Sequence, residues 1–216
     1  PNLVIEPLDV TDHAGIDARH SCVPLEWMAQ ERSFAEKNAR YIEEAVPLGC
    51  EVARRAFERA HIDAADIDHV IYMSSTGIAT PSIDALIANR IGLRPDVRRT
   101  PVWGLGCAGG AAGLSRARDF ALADPGARVL VIALELCSLT FLPKDLSKRN
   151  LVALSLFADG AAAVVVAGSR VPANGVGDNL RPLTLRASRS TLWKDTLDIM
   201  GWEMEEAGLR VVFSRS

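Results

Sequence analysis

The segment 128–136, RVLVIALEL, constrains the fold more than any other part of the sequence. It is apolar apart from Arg128 and Glu135, and it contains no Gly or Pro. The run is far too short to span a membrane. It is typical of a strand that is covered on both faces of a parallel sheet. The sequence therefore predicts a buried central strand that neighbouring helices must cover.

Helical and strand patterns alternate on both sides of this strand. Candidate helices are 33–62, 82–91, 107–123 and 146–157, and candidate strands are 66–75, 98–103, 161–167, 183–187 and 209–213. The strand at 161–167 is expected to be buried on both faces as well. Pro47 lies inside the first helix and is expected to kink or divide it. The alternation predicts an α/β fold with a parallel or mixed sheet covered on both faces.

Composition places the chain among ordinary globular proteins. It has 216 residues, of which 49% are hydrophobic and 24% charged, which is enough for one core. We interpret 1–216 as one domain, with its core at 34–168 and the start of a further strand and loop region at 169–216. A net charge of −3 without a basic stripe argues against a nucleic-acid surface. The four cysteines are widely spaced, which favours reduced thiols over zinc or disulfides, and no signal or membrane segment is seen. We expect a cytoplasmic protein.

The segment 104–113, GLGCAGGAAG, contains the candidate nucleophile, Cys107. It joins a predicted strand to a predicted helix. At the start of a helix, unpaired backbone N–H groups and the helix dipole favour the thiolate form of a cysteine, which is the nucleophilic form. The flanking Gly and Ala residues leave room for a substrate and allow the helix to pack closely against its neighbours.

Other interpretations of this segment differ in strength. A buried structural cysteine is the default for an intracellular thiol, but the flanking glycines are unfavourable in an ordinary helix. Gly104, Gly106 and Gly109 spell the GxGxxG pattern of dinucleotide sites, although Glu135, the candidate ribose-binding acid, comes late. A hydrolase nucleophile elbow requires Gly where Leu105 stands, so that class is excluded.

Four segments carry a family resemblance: TGIATPSID at 76–84, GLRPDVRRTPVWGLGCAGGAAGL at 92–114, ELCSLTF at 135–141 and LFADGAAA at 156–163. In this order and at this spacing, the chain resembles a type III polyketide synthase. These are chalcone-synthase-like enzymes of the thiolase superfamily, and the sequences of the four motifs are more similar to the bacterial branch than to the plant branch.

The resemblance implies a homodimer with a thiolase-like fold, in which α/β/α layers enclose a mixed sheet and a buried central helix starts at Cys107. It also implies the reaction. An acyl-CoA starter is loaded on Cys107 and extended by decarboxylative condensation with malonyl-CoA, which a His and an Asn promote, and the product is then cyclised. Coenzyme A thioesters are substrates, and no cofactor or metal is implied.

The same resemblance assigns side chains to a substrate cavity. Phe157 corresponds to the aromatic gate, and Cys137 and Thr140 correspond to cavity-lining positions. Val211 stands near the place of a second gating Phe in plant members. A smaller side chain there implies a larger cavity, a long acyl starter and an alkylpyrone or alkylresorcinol product. Without the resemblance, these residues would be interpreted as core and strand-end positions.

Two further residues take roles from the resemblance. Thr80 lies in the loop that walls the partner subunit's cavity, and its peptide bond to Pro81 is a candidate for the cis form. Arg19 is a candidate ligand of the coenzyme A phosphates, although a solvated surface Arg is the commoner alternative.

The chain departs from the family pattern in what it lacks. The catalytic His and Asn lie in the second half of family members, which this chain does not include. Its own histidines are poor substitutes for them: His13, His20, His61 and His69. Ala158 replaces the usual Gly of the LFGDG segment. We expect a fragment of a complete enzyme rather than a short paralogue that acts as a non-catalytic acyl-CoA-binding or dimerisation module. A ketoacyl-ACP synthase III or HMG-CoA synthase relative is the nearest alternative enzyme.

Overall fold

The computed structural model describes residues 15–172 and 183–214. The helices in this part of the chain are α1 (Leu25–Met28), α2 (Phe34–Ala60), α3 (Ile83–Ile91), α4 (Gly109–Ala123) and α5 (Lys148–Leu156). The strands are β1 (His69–Met73), β2 (Arg98–Val102), β3 (Arg128–Leu136), β4 (Asp159–Ala167), β5 (Met200–Glu205) and β6 (Gly208–Phe213). Short 3-10 turns cover Ala64–Asp66, Gly106–Ala108 and Cys137–Thr140. The predicted α/β alternation is confirmed.

Strands β1 to β4 form one sheet in the order β2-β1-β3-β4. Strand β1 runs parallel to both β2 and β3. Six of the nine residues of β3 are buried, as its apolar run predicts. The expectation that 161–167 is buried on both faces is wrong: β4 ends the sheet order, and its residues alternate between exposed and half-buried.

Helix α2 is continuous through Pro47, so the proline does not divide it. Proline removes one backbone donor, whereas the buried face of the helix extends along its length. Tyr41, Ala45, Ala53 and Phe57 all lie on that face. Burial of this apolar face holds the helix together across Pro47.

The strand predicted at 183–187 is absent, because no described strand lies beside it to accept or donate ladder hydrogen bonds. The segment is instead held by Arg118, whose guanidinium donates to the carbonyls of Leu185 and Arg186. The strand predicted at 209–213 is confirmed as β6, which pairs antiparallel with β5 in a separate hairpin.

The chain divides into two compact units. The first comprises the described parts of Pro1–Tyr41, Leu136–Gly160 and Trp193–Ser216, and the second those of Ile42–Glu135 and Ala161–Leu192. The core of the second unit contains Ile71, Met73, Ala117, Val129 and Val131. Among the described residues, no helix is both long and apolar enough to cross a membrane.

Helix α4 packs closely on this sheet through its smallest residues. Its buried positions recur every four residues: Gly109, Gly113, Ala117 and Ala121. A Cβ atom at Gly113 would lie 2.9 Å from Cγ1 of Val131. The glycine therefore permits the close packing that the sequence predicts, although in this chain the helix is buried along one face rather than all round.

Candidate active site

Cys107 lies in the 3-10 turn that leads directly into α4, and its side chain is exposed. The turn depends on the two glycines before it. Gly104 has a φ of +88° and Gly106 a φ of +50°, which is the left-handed region that L side chains rarely adopt. No atom would crowd a Cβ at either position, so the backbone conformation is what requires glycine there. The predicted helix start beside Cys107 is confirmed.

A hydrogen-bonded chain fixes the backbone next to Cys107. The Gly106 N–H donates to Oγ of Ser75 at 3.0 Å. The Ser75 N–H in turn donates to both carboxylate oxygens of Glu135, at 2.9 Å each. The hydroxyl of Thr76 donates to the same carboxylate at 2.8 Å. Glu135 therefore connects the ends of β1 and β3 to the cysteine turn, and it makes the hydrogen bonds that its place in an apolar strand predicts.

Burial raises the pKa of the Glu135 carboxyl above its ordinary value, while the hydrogen bonds from Ser75, Thr76 and Ser74 act in the opposite direction. The protonated form of this carboxyl therefore persists to a higher pH than in water. Glu135 holds the cysteine turn through the hydrogen bonds that its carboxylate oxygens accept.

The first unit contains a cavity of about 150 Å³. Four residues that the resemblance assigns to the substrate cavity line it together: Cys137, Thr140, Phe157 and Val211. Arg19, His20 and Trp202 also line it. Cys107 and Thr80 belong to the other unit. The structure thus brings four separately predicted cavity residues to one place.

Phe157 is held by aromatic contacts from the β5–β6 hairpin. Its ring lies 6.1 Å from the Trp202 ring in an edge-on arrangement and 6.0 Å from the Phe213 ring. Trp202 and Val211 are paired across the hairpin, so a large and a small side chain share one wall of the cavity. The hydroxyl of Thr140 donates to the Cys137 carbonyl at 2.8 Å, which closes the 3-10 turn that contains both residues.

Asp159, in the LFADGAAA segment, is a buried acceptor for several backbone and side-chain donors. It accepts from the Ser138 N–H at 2.7 Å and from the Ser138 hydroxyl at 2.6 Å. It also accepts from the Cys22 N–H at 2.7 Å, and its own N–H donates to the His20 carbonyl. These bonds hold the 20–22 segment against the turn that carries Cys137.

Lys37 is 5% exposed, which is rare for a lysine. Its ammonium donates to the carbonyls of Phe141 and Ala207, at 2.9 Å each. Burial lowers the pKa of Lys37 to about 8. Among the described residues, no carboxylate forms an ion pair with it. The lysine therefore joins the N-terminal end of α2 to a cavity residue and to the hairpin turn.

The remaining predicted residues are placed as follows. The Thr80–Pro81 peptide bond is cis, as the resemblance implies, and Thr80 is exposed. Arg19 is half-buried on the cavity wall, and its guanidinium donates to the Ser155 carbonyl. Its proposed contact with coenzyme A stays a prediction, as does the contact of Thr80 with a partner subunit.

The histidines have varied surroundings. His69 is buried, stacks on Phe120 at 3.9 Å and shares a hydrogen bond with Thr100, so it is a satisfied core residue as expected. His20 lines the cavity, which its sequence position did not reveal. His13 lies outside the described residues.

Sequence reasoning missed Trp202, Asp159 and Lys37 as residues that build the cavity. Trp202 alternates with Met200 and Met204, a period-2 pattern that would have predicted strand β5. Asp159 falls inside the LFADGAAA segment, but the resemblance implies no role for it. Nothing in the sequence distinguishes Lys37 from a solvated helix residue.

Comparison with known proteins supports the motif-based resemblance. The family model described as "Chalcone and stilbene synthases, N-terminal domain" matches residues 25–170. A 1,3,6,8-tetrahydroxynaphthalene synthase of Streptomyces peucetius subsp. caesius is 43% identical over 199 residues, which are 92% of this chain and 52% of that protein. An alpha-pyrone synthesis polyketide synthase-like protein of Mycobacterium tuberculosis is 34% identical over 73% of this chain and 39% of its own length.

A solved structure supports the fold. The crystal structure of 1,3,6,8-tetrahydroxynaphthalene synthase from Streptomyces coelicolor A3(2), a bacterial type III polyketide synthase, superposes with a TM-score of 0.87. That protein is 33% identical, and the match covers 95% of this chain and 57% of the solved chain. The chain spans about half the length of the relatives it matches. It belongs to the chalcone and stilbene synthase family of type III polyketide synthases, has their thiolase-like fold, and corresponds to the N-terminal domain of that family.

Proposed function

We propose that Cys107 is the acyl-accepting nucleophile of a type III polyketide synthase. The observation that carries the proposal is its placement: an exposed thiol in a glycine-shaped turn at the start of α4, inside the segment that matches the family model. The Gly106–Ser75–Glu135 hydrogen bonds hold that turn in place before any substrate arrives. A preorganised nucleophile of this kind avoids reorganisation during the reaction.

The proposed reaction has two stages. The Cys107 thiolate attacks the carbonyl of an acyl-CoA thioester, and coenzyme A leaves as its thiol. Malonyl-CoA then loses carbon dioxide to form an enolate, whose carbon attacks the Cys107-bound acyl group and releases the Cys107 sulfur. In the family, a His and an Asn from the second half of the protein support this step. Repeated extension and cyclisation complete the product, and a homodimer is the proposed assembly.

We propose that the starter is a long acyl chain and that the product is an alkylpyrone or alkylresorcinol. The cavity wall supports this class through Val211, which is small and buried at 4% exposure. The alpha-pyrone relative is consistent with it.

A second product class has its own support. Trp202 lines the cavity beside Val211, and the volume of about 150 Å³ matches that of a cavity that holds one benzene. The naphthalene product named for two relatives carries its oxygens on alternate carbons, so two-carbon units alone can build it. This class requires a small starter.

A competition experiment separates the two classes. The 216-residue chain is incubated with equimolar decanoyl-CoA and acetyl-CoA, and the acyl groups on Cys107 are counted by peptide mass spectrometry. The long-chain proposal predicts at least a fivefold excess of decanoyl, which Val211→Phe reduces and Trp202→Gly increases. An acetyl excess in the wild-type chain supports the small-starter class. No acyl group on Cys107 with either thioester contradicts the proposed function.

A further inference from the structure

We infer that Lys37 is a positioning residue that sets the shape of the substrate cavity. Lys37 is buried, at 5% exposure, and is not itself one of the residues that line the cavity. It acts through two backbone carbonyls, those of Phe141 and Ala207. The inference rests on the proposed function, because it assumes that the cavity selects the acyl chain.

The two carbonyls belong to two different segments that contribute residues to the cavity wall. Phe141 lines the cavity directly and follows the turn that carries Cys137 and Thr140. Ala207 forms the turn of the β5–β6 hairpin, whose strands contribute Trp202 and Val211. One ammonium group therefore ties both parts to the first turns of α2. Hydrogen bonds from a charged donor are about twice as strong as neutral ones.

The residues next to Lys37 leave space for its side chain and bond to the same hairpin turn. The backbone N–H of Phe34, at the start of α2, donates to the Glu206 carbonyl at 3.0 Å, so the helix holds the hairpin turn at two adjacent points. Gly208 has a φ of +136°, and a Cβ there would lie 3.3 Å from Nζ of Lys37 and 3.5 Å from its Cδ. The glycine after the turn leaves the space that the lysine occupies.

Near its turn the hairpin is held by the two Lys37 bonds, by the Phe34 N–H bond to the Glu206 carbonyl and by the buried side chain of Leu209. Phe157 contacts the hairpin at Trp202 and Phe213, which are several residues away from Ala207 along the strands. The outward-facing residues of β5 are exposed. Loss of the Lys37 ammonium removes two of the bonds at the turn end while the Phe157 end stays packed, so we expect the turn end to loosen and the Trp202–Val211 pair to be held less firmly.

The test compares Lys37→Met, which keeps the approximate side-chain length but removes the donors, with Lys37→Arg, which keeps charge and donors. Lys144→Met is the matched control, because Lys144 lies in the same loop as Phe141 but is exposed and pairs with Glu31 at the surface. Hydrogen–deuterium exchange is followed in peptides covering β5–β6 and, as the reference for the fold, β3.

Lys37→Met is expected to increase exchange in the hairpin at least tenfold with β3 unchanged. Lys37→Arg and Lys144→Met are expected to stay within about threefold of the wild-type chain. Hairpin exchange that is unchanged in Lys37→Met, that rises equally in β3, or that rises as much in Lys37→Arg would overturn the positioning role.

The selectivity part is measured by the decanoyl and acetyl competition on Cys107. The ratio of the two acyl groups is expected to change at least threefold in Lys37→Met and to stay constant in Lys144→Met. A constant ratio despite a loosened hairpin would overturn the link to selectivity. Absence of acylation in the wild-type chain would instead contradict the proposed function, and the exchange data would still decide whether Lys37 holds the hairpin.

Discussion

Replacing Gly113 with alanine tests how closely α4 packs on the sheet beneath Cys107. The added Cβ would lie 2.9 Å from Cγ1 of Val131 and 3.2 Å from Cγ of Met73, whereas relaxed carbon–carbon contacts lie at about 3.5–4.0 Å. Val131 is β-branched and buried in β3, so it has little freedom to move aside. Overpacking of this kind costs about 1–3 kcal/mol.

The intrinsic helix preference of alanine over glycine acts in the opposite direction, by about 1 kcal/mol. Gly110→Ala isolates that gain, because no atom lies within 4 Å of a Cβ at this position. The difference between the two variants therefore mainly reflects the overpacking cost, because the helix-preference gain at Gly110, the second residue of α4, is no larger than that at Gly113. We expect Gly113→Ala to have a free energy of unfolding about 1–3 kcal/mol lower than Gly110→Ala.

Urea unfolding followed by far-ultraviolet circular dichroism measures this difference, provided that the m-values of the two variants agree. Gly110→Ala should be slightly more stable than the wild-type chain. Equal stability of Gly110→Ala and Gly113→Ala would refute the close contact between α4 and the sheet, and with it the reason for glycine at position 113.

Three further outcomes follow from the structure. Asp159→Ala should lower the free energy of unfolding by about 2–4 kcal/mol, because the Ser138 and Cys22 N–H donors lose their acceptor. Asp159→Asn should have a stability between those of Asp159→Ala and the wild-type chain. A loss of less than about 1 kcal/mol for Asp159→Ala on urea unfolding would contradict the role of this carboxylate. Burial lowers the pKa of Lys37 to about 8, so the unfolded chain binds the extra proton between that pH and about 10.4, and stability relative to Lys37→Met should rise by about 2 kcal/mol from pH 7 to 9.5. If the difference in free energy of unfolding between the wild-type chain and Lys37→Met does not change from pH 7 to 9.5, the ammonium group is not buried as described. Iodoacetamide should modify Cys107 well before Cys50. Cys107 is exposed, whereas Cys50 is buried and burial raises the pKa of its thiol. Equal rates of modification, measured by peptide mass spectrometry, would be inconsistent with this structure.

The elements that the sequence predicts well are those whose signal is local. Strand β3 has the predicted bounds, because a short apolar run without Gly or Pro is typical of a strand covered on both faces. The helix start beside Cys107 follows in the same way from a glycine-rich segment after a strand. Helix α3 ends at Ile91, the predicted bound, because Gly92 follows it in the left-handed conformation that ends helices.

The features that the sequence does not predict depend on distant partners. Pro47 leaves α2 undivided because tertiary packing outweighs one missing hydrogen bond. The segment 183–187 has a strand-like composition but no partner strand among the described residues. Trp202 becomes part of the cavity only through its register opposite Val211. Lys37 becomes structural only through two carbonyls that lie 104 and 170 positions away in the sequence.

The central claim is that Cys107 carries the acyl group. Its most direct test is intact-mass analysis of the 216-residue chain after incubation with a single acyl-CoA, followed by hydroxylamine, which cleaves thioesters. We predict one acyl adduct per chain that hydroxylamine removes and that maps to Cys107. The adduct should be absent from Cys107→Ala and present in Cys137→Ala. An adduct that persists in Cys107→Ala, or that disappears only in Cys137→Ala, would contradict the assignment of the nucleophile.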